Sequence, residues 1–127
     1  MVLAVAFAVV AAAHVLRRRA KRLLRDVEPQ FATELGAALR KAGEPGLAAS
    51  VFRLVVENAC GCDDPDCASF YTVPRLKARS LWLGGGRTVR LESDRGTLAA
   101  DVVDGTIVSV EVLGRPELRS SLLEYTR

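Results

Sequence analysis

At 127 residues, half of them hydrophobic and about a quarter charged, the chain has the length and composition of one globular domain. Such a chain buries most of its apolar surface without a disulfide framework and is too apolar to be disordered throughout. The net charge of +3 is unevenly held: Arg17, Arg18, Arg19, Lys21, Arg22 and Arg25 give the first 25 residues +6, and the remainder carries −3. A mildly acidic domain with one short basic block lacks the broad cationic face that phosphate backbones require, so nucleic acid is not the expected partner.

Val2 to Leu16 is free of charge and dominated by Ala and Val. As a helix these 15 residues would reach roughly 22 Å, short of the ~30 Å hydrocarbon core of a bilayer. The cations follow the apolar stretch, the reverse of a secretory signal, and by the positive-inside rule they favour a cytoplasmic C-terminal side. Residues 1–25 are therefore read as a hydrophobic and basic arm with three candidate roles. It is a membrane anchor, an interfacial helix clamped by its cations, or a helix with no membrane role, including read-through from a misplaced start. Residues 26–127 are read as one small domain, expected in the cytoplasm, with the membrane a candidate partner through residues 2–25. His14, the only histidine, is read as a helix-end residue.

From Glu28 the pattern is helical. Pro29 suits a first turn, and Phe31, Leu35, Ala38, Leu39 and Ala42 recur at helical spacing up to Gly43. Glu44-Pro45-Gly46 marks a turn before one short helical turn over Leu47 to Ser50. Phe52, Leu54 and Val56 then alternate with Arg53, Val55 and Glu57, which predicts a strand leading into Cys60. Ser69 to Val73 predicts the returning strand, ended by Pro74, so the cysteine-bearing segment tips a hairpin with Phe70 and Tyr71 on opposite faces. Arg75 to Leu83 has no clean period and is read as a connection with a short strand around Leu81-Trp82-Leu83. Gly84-Gly85-Gly86 is a turn, since it lacks the Lys-Ser/Thr ending of a P-loop. Thr88 to Glu92 predicts another strand.

Asp104-Gly105 sits between two alternating runs and predicts a hairpin. A two-residue turn would pair even positions with odd ones and mix Asp101 with Val108 on one face. A three-residue loop Val103-Asp104-Gly105, with Gly105 left-handed, instead pairs Val102 with Thr106 and Ala100 with Val108 and keeps the even residues together. The longer loop is the expectation. Leu118, Leu122 and Tyr125 predict a short C-terminal helix over Glu117 to Tyr125. The fold class is thus α+β: N-terminal helices, an antiparallel sheet of about four to five strands and a terminal helix.

The chemistry gathers in Cys60-Gly61-Cys62-Asp63-Asp64-Pro65-Asp66-Cys67, which holds every cysteine of the chain. Three thiolates suit Zn²⁺, and the fourth ligand of a tetrahedron would come from Asp63, Asp64 or Asp66, from water or from another chain, with Asp63 and Asp66 the foremost candidates. The single Cys-x-Cys-x4-Cys run departs from the paired Cys-x2-Cys spacing of zinc knuckles. The carboxylates raise thiol pKa values when no cation is bound, so a bare nucleophile is not expected. Calcium fits worse, because Arg75 stands where an EF-hand loop starting at Asp64 needs a bidentate Glu. Hydrolytic chemistry lacks a histidine base near the cysteines. The leading reading is a non-enzymatic binding or regulatory module with an unidentified protein partner and zinc as candidate ion. The alternative is a thiol redox or redox-sensing protein that uses Cys60, Cys62 and Cys67.

The run Leu47-Ala48-Ala49-Ser50-Val51, the segment Val55-Val56-Glu57, the cysteines followed by Ser69-Phe70-Tyr71-Thr72, Asp101-Val102-Val103-Asp104-Gly105 and Val110-Glu111-Val112-Leu113 together resemble an uncharacterised bacterial family of small α+β domains. The resemblance covers about residues 31–123 and implies a compact α+β domain without an assigned activity. Members of that family usually carry a Gly-His element before the next strand, where this chain has Gly84-Gly85-Gly86-Arg87.

Overall fold

The computed structural model describes residues 22–126. The anchor reading of residues 2–16, the cations Arg17 to Lys21, and His14 lie outside the described residues. Among those described, no helix is long and apolar enough to cross a membrane. Arg22 to Arg25, placed with the arm by sequence, pack with the domain: Leu23 bridges Val55, the Leu24 N–H donates to the Leu54 carbonyl at 2.9 Å, and Leu24 is fully buried.

The elements run α1 (Leu24–Val27), α2 (Pro29–Lys41), α3 (Pro45–Ser50), a 3-10 turn (Val51–Arg53), β1 (Asn58–Ala59), β2 (Phe70–Tyr71), α4 (Arg75–Leu83), β3 (Arg87–Leu91), β4 (Thr97–Val103), β5 (Thr106–Leu113) and α5 (Pro116–Tyr125). The five strands form one antiparallel sheet in the order β1-β2-β5-β4-β3. This is the α+β architecture that the sequence predicts.

Proline opens α2, and its helical spacing turns Phe31, Leu35 and Leu39 onto the sheet, where they are buried with Leu98, Ala100, Val102, Val110 and Val112. Burial of each such side chain contributes about 2 kcal/mol. Helices α1, α3 and α5 join this core through Leu24, Leu47, Leu118 and Leu122. The opposite face is covered by α4, whose Ala78 packs with Val103 and Val108. Phe70 is buried in the first cluster and Tyr71 packs on the second, so the two aromatics do face opposite ways.

Three readings are corrected. The strand expected from Phe52 starts late, because α3 runs on into the 3-10 turn and Val51 takes the buried position. Phe52 is left 59% exposed, while Leu54 and Val56 keep their predicted burial. Arg75 to Leu83 is helical throughout rather than ending in a strand. Its residues are mostly strong helix formers without a β-branched member. It buries only Ala78 fully, which is why no apolar period marks it.

The third correction concerns the terminal hairpin. Its loop is the two-residue Asp104-Gly105 turn, with positive φ at both (49° and 74°) and Val103 opposite Thr106. That is the I′ geometry that suits the twist of paired strands. The predicted left-handed Gly105 is present, but parity is restored elsewhere. Val102 faces Ile107 while Asp101 faces Ser109, so Val108 is an extra residue in β5. This bulge puts Ile107, Val110 and Val112 on the helix-covered face and turns Val108 to α4. Thr72 satisfies the bulged carbonyls: its N–H donates to Val108 at 3.0 Å and its hydroxyl to Ile107 at 2.6 Å.

Arg115, in the turn between β5 and α5, is only 4% exposed. Its guanidinium donates to both carboxylate oxygens of Glu34 on α2, to the Ser93 hydroxyl at 3.0 Å and to the Arg95 carbonyl at 3.3 Å. It also lies 5.6 Å from the Phe31 ring centre. These bonds satisfy a buried cation that would otherwise be strongly destabilising. The bond from Arg115 is the main reason that the Glu34 carboxyl sits below its ordinary 4.5. A carboxylate of this kind stabilises the fold above its unfolded pKa, and that contribution is lost as pH falls through the lower folded value. Glu34→Gln is therefore expected to cost about 1 to 2 kcal/mol near neutral pH, moderated by the partial exposure of Glu34. Urea melts should show the gap from wild type closing only as the pH falls below 4.5, and a gap that persists unchanged in strong acid contradicts this account.

Candidate metal centre

The cysteine segment connects β1 to β2. The Cys60 N–H donates to the Ser69 carbonyl at 2.8 Å, extending the β1–β2 ladder by one pair before the chain turns away. Gly61 takes a φ of 71°, a left-handed conformation that glycine adopts without the Cβ penalty, and this bends the chain between the first two cysteines. A local turn follows: the Asp64 carboxylate accepts from the Asp66 N–H at 2.9 Å, and the Asp64 carbonyl accepts from the Cys67 N–H at 3.2 Å. Side-chain oxygens of aspartate favour such turns by bonding to the backbone two residues on.

The far end of the loop is fastened to the sheet and to the turn before α5. The Ala68 N–H donates to the Val112 carbonyl at 2.8 Å, and Ser69 Oγ accepts from the Val112 N–H at 2.9 Å. The Asp66 carbonyl accepts from the N–H groups of both Gly114 and Arg115, at 3.0 and 3.1 Å.

This folding brings the Sγ atoms of Cys60, Cys62 and Cys67 within 4.8 Å of one another, with all three thiols free. Two Zn–S bonds of about 2.3 Å at a tetrahedral angle separate their sulfurs by roughly 3.8 Å, so a contraction of about 1 Å or less brings the three onto one ion. Cys67 is buried at the back, Cys60 and Cys62 are half-buried, and Gly61 and Asp63 to Asp66 are exposed. Among the described residues, no histidine, carboxylate or further cysteine joins the sulfur cluster. Asp63 and Asp66, the candidate ligands from sequence, are exposed beside it, and Asp66 contributes main-chain bonds that shape the loop.

Two arginines that the sequence reading did not place at the site hold its backbone. Arg119 of α5 donates to the carbonyls of Cys62 and Cys67, at 2.5 and 3.0 Å, with Nη1 3.9 Å from the Cys62 sulfur. Arg75 at the start of α4 donates to the carbonyls of Cys60 and Ala59, at 2.5 and 3.2 Å, and its guanidinium lies 5.2 Å from the Tyr71 ring centre. Isolated cations in a helix carry no spacing signal, so only the fold reveals them. In the sequence Arg75 marks only the lack of a bidentate Glu at the last position of an EF-hand loop.

The thiols differ in their electrostatics. The Cys62 thiol is lowered below its ordinary pKa, first by the backbone N–H of Asp64, then by hydrogen bonding with Cys67, with Cys60 and Arg119 adding to it. The Cys60 thiol is raised, first by burial and further by its neighbouring sulfurs. The expectation that the aspartates disfavour thiolate throughout the loop is thus corrected at Cys62, where Asp64 acts through its amide and the N–H favours the anion.

Comparison with protein-family models, with curated proteins and with solved structures found no match.

Groups that orient metal ligands from behind typically change affinity 10- to 100-fold. Arg119→Ala is expected to weaken the binding of any ion that the three sulfurs hold by about 10-fold in chelator competition, while α5 stays folded through Leu118 and Leu122. Unchanged affinity would show that the clamp does not shape the ligand set.

Proposed function

We propose that this chain is a non-enzymatic binding or regulatory module in which Cys60, Cys62 and Cys67 hold a thiophilic ion, zinc in the first place. The observation that carries the reading is the convergence of three sulfurs on one loop pinned by main-chain bonds and by two guanidiniums. Thiolates select zinc and other soft ions over magnesium and calcium. Arg75 and Arg119 offset part of the negative charge of three thiolates, and the N–H of Asp64 favours the deprotonated form at Cys62. The side chains lining the cleft beside α2 are already engaged with one another, Glu34 with Arg115 and Lys41 with Glu92. The apolar stretch Val2–Leu16 and the cations after it would hold the domain at the cytoplasmic face of a membrane, near its protein partner. The resemblance to the small α+β family is part of this reading.

Thiol redox chemistry is the second reading, and one observation favours it. Cys62 is half-buried and anion-favouring, with two further thiols within 4.8 Å. An oxidant that takes Cys62 to a sulfenic acid would find a resolving thiol next to it.

Protein purified without chelator is expected to contain about one zinc per chain by elemental analysis, the stoichiometry of a single thiolate-bound ion. Cys67→Ser should lose most of that metal. Metal-free protein that instead loses two titratable thiols reversibly on mild oxidation would reject the metal reading in favour of the redox one.

A further inference from the structure

The ligand set is incomplete in a particular way. The loop supplies three sulfurs, and no fourth histidine, cysteine or carboxylate among the described residues joins them. Neither the Asp63 nor the Asp66 carboxylate joins the group of atoms within 4.8 Å of one another. The carbonyls of Cys60, Cys62 and Cys67 are held by Arg75 and Arg119, and the Asp66 main chain is bound at both its N–H and its carbonyl. The inner side is closed by buried Cys67 and by Arg119, whereas Gly61 and Asp63 to Asp66 are exposed on the outer side. A zinc site with three protein ligands keeps its fourth position for water or another donor.

The charge of the site limits what that donor is. A dication on three thiolates carries −1, and Asp63, Asp64 and Asp66, exposed in the same loop, add three more negative charges, against the two cations of Arg75 and Arg119. Another anion approaching from solvent meets a net negative rim, and a neutral nitrogen base does not. Imidazole is the common side-chain donor that is neutral, nitrogenous and suited to zinc.

We infer that the metal centre of Cys60, Cys62 and Cys67 keeps an outward-facing fourth position open to a neutral imidazole-class ligand supplied from outside the chain. This inference rests on the metal reading above. The bound ion is then a docking point: an incoming histidine closes the tetrahedron, and its departure returns the position to water. The same chemistry has two sources, a ligand supplied from outside the chain and the chain's own His14. The inference commits to the first.

Cobalt(II) replacing zinc in the full-length protein tests it, because thiolate-to-cobalt charge-transfer bands report the sulfurs and the visible d–d bands report the fourth ligand. Wild-type protein is expected to show the charge-transfer bands, and added imidazole should shift and intensify the d–d bands saturably. Azide, an anionic donor, should act much more weakly. His14→Ala should behave as wild type in both respects. Absence of the charge-transfer bands overturns the metal reading itself. Charge-transfer bands with d–d bands indifferent to imidazole overturn the open position. A His14→Ala spectrum that differs from wild type before any addition assigns the position to His14 and overturns the external ligand. An azide response equal to that of imidazole overturns the neutral-donor selectivity.

Discussion

The carbonyl of Asp66 accepts two N–H groups, from Gly114 and Arg115, at the point where β5 ends and α5 has yet to begin. The far limb of the cysteine loop and the buried Arg115 network meet at that turn. Its main chain fixes the far end of the cysteine loop, and the side chain of Arg115 reaches the other way into the body of the protein, to Glu34 on α2 and to Ser93 and Arg95 between β3 and β4. One residue thereby couples the loop, the longest described helix and a distant connection. A buried guanidinium is stable only where its donors are used, and Arg115 uses donors on all three of its nitrogens. The placement of Cys67 against the core and the direction of α5, which carries Arg119, both depend on this turn.

That dependence explains why an exposed, aspartate-rich loop can hold three thiols in one place. A ten-residue excursion from Cys60 to Ser69 would by itself sample many shapes, at a cost of about 1 to 2 kcal/mol of entropy per ordered residue. Main-chain bonds at Cys60, Cys67, Ala68 and Asp66 fix its two limbs, and the arginines bind the carbonyls of the cysteines. The side chains that define the chemistry come from the loop, and the groups that position them come from α4, α5 and the β5–α5 turn. The aspartates shape the loop chiefly through Asp64, whose carboxylate closes a turn and whose N–H favours the Cys62 thiolate.

Much of this was legible in the sequence where one local rule acts alone. α2, β3 and α5 follow from periodicity, and the β1–β2 hairpin follows from Pro74 and the cysteine segment between β-prone residues. That the three cysteines share one short loop is plain in the sequence, whereas their convergence within 4.8 Å is set by the fold. What escaped depends on partners distant in sequence. The parity argument at Asp104-Gly105 identified a real conflict, but the chain resolves it with a bulge at Val108 whose carbonyls are answered by Thr72. No local rule locates that bulge. α4 escaped because a helix that buries one alanine fully leaves no apolar stripe, and Phe52 because the preceding helix did not stop at Ser50. Arg75, Arg115 and Arg119 escaped because an arginine that binds carbonyls looks, in sequence, like any solvated cation.

The central claim is that three loop cysteines form one preorganised metal centre with an outward-facing vacancy. X-ray absorption at the zinc edge measures the inner shell directly. The account predicts three sulfur scatterers near 2.3 Å and one nitrogen or oxygen near 2.0 to 2.1 Å around the ion. A shell of four sulfurs, or of oxygens alone, would contradict it.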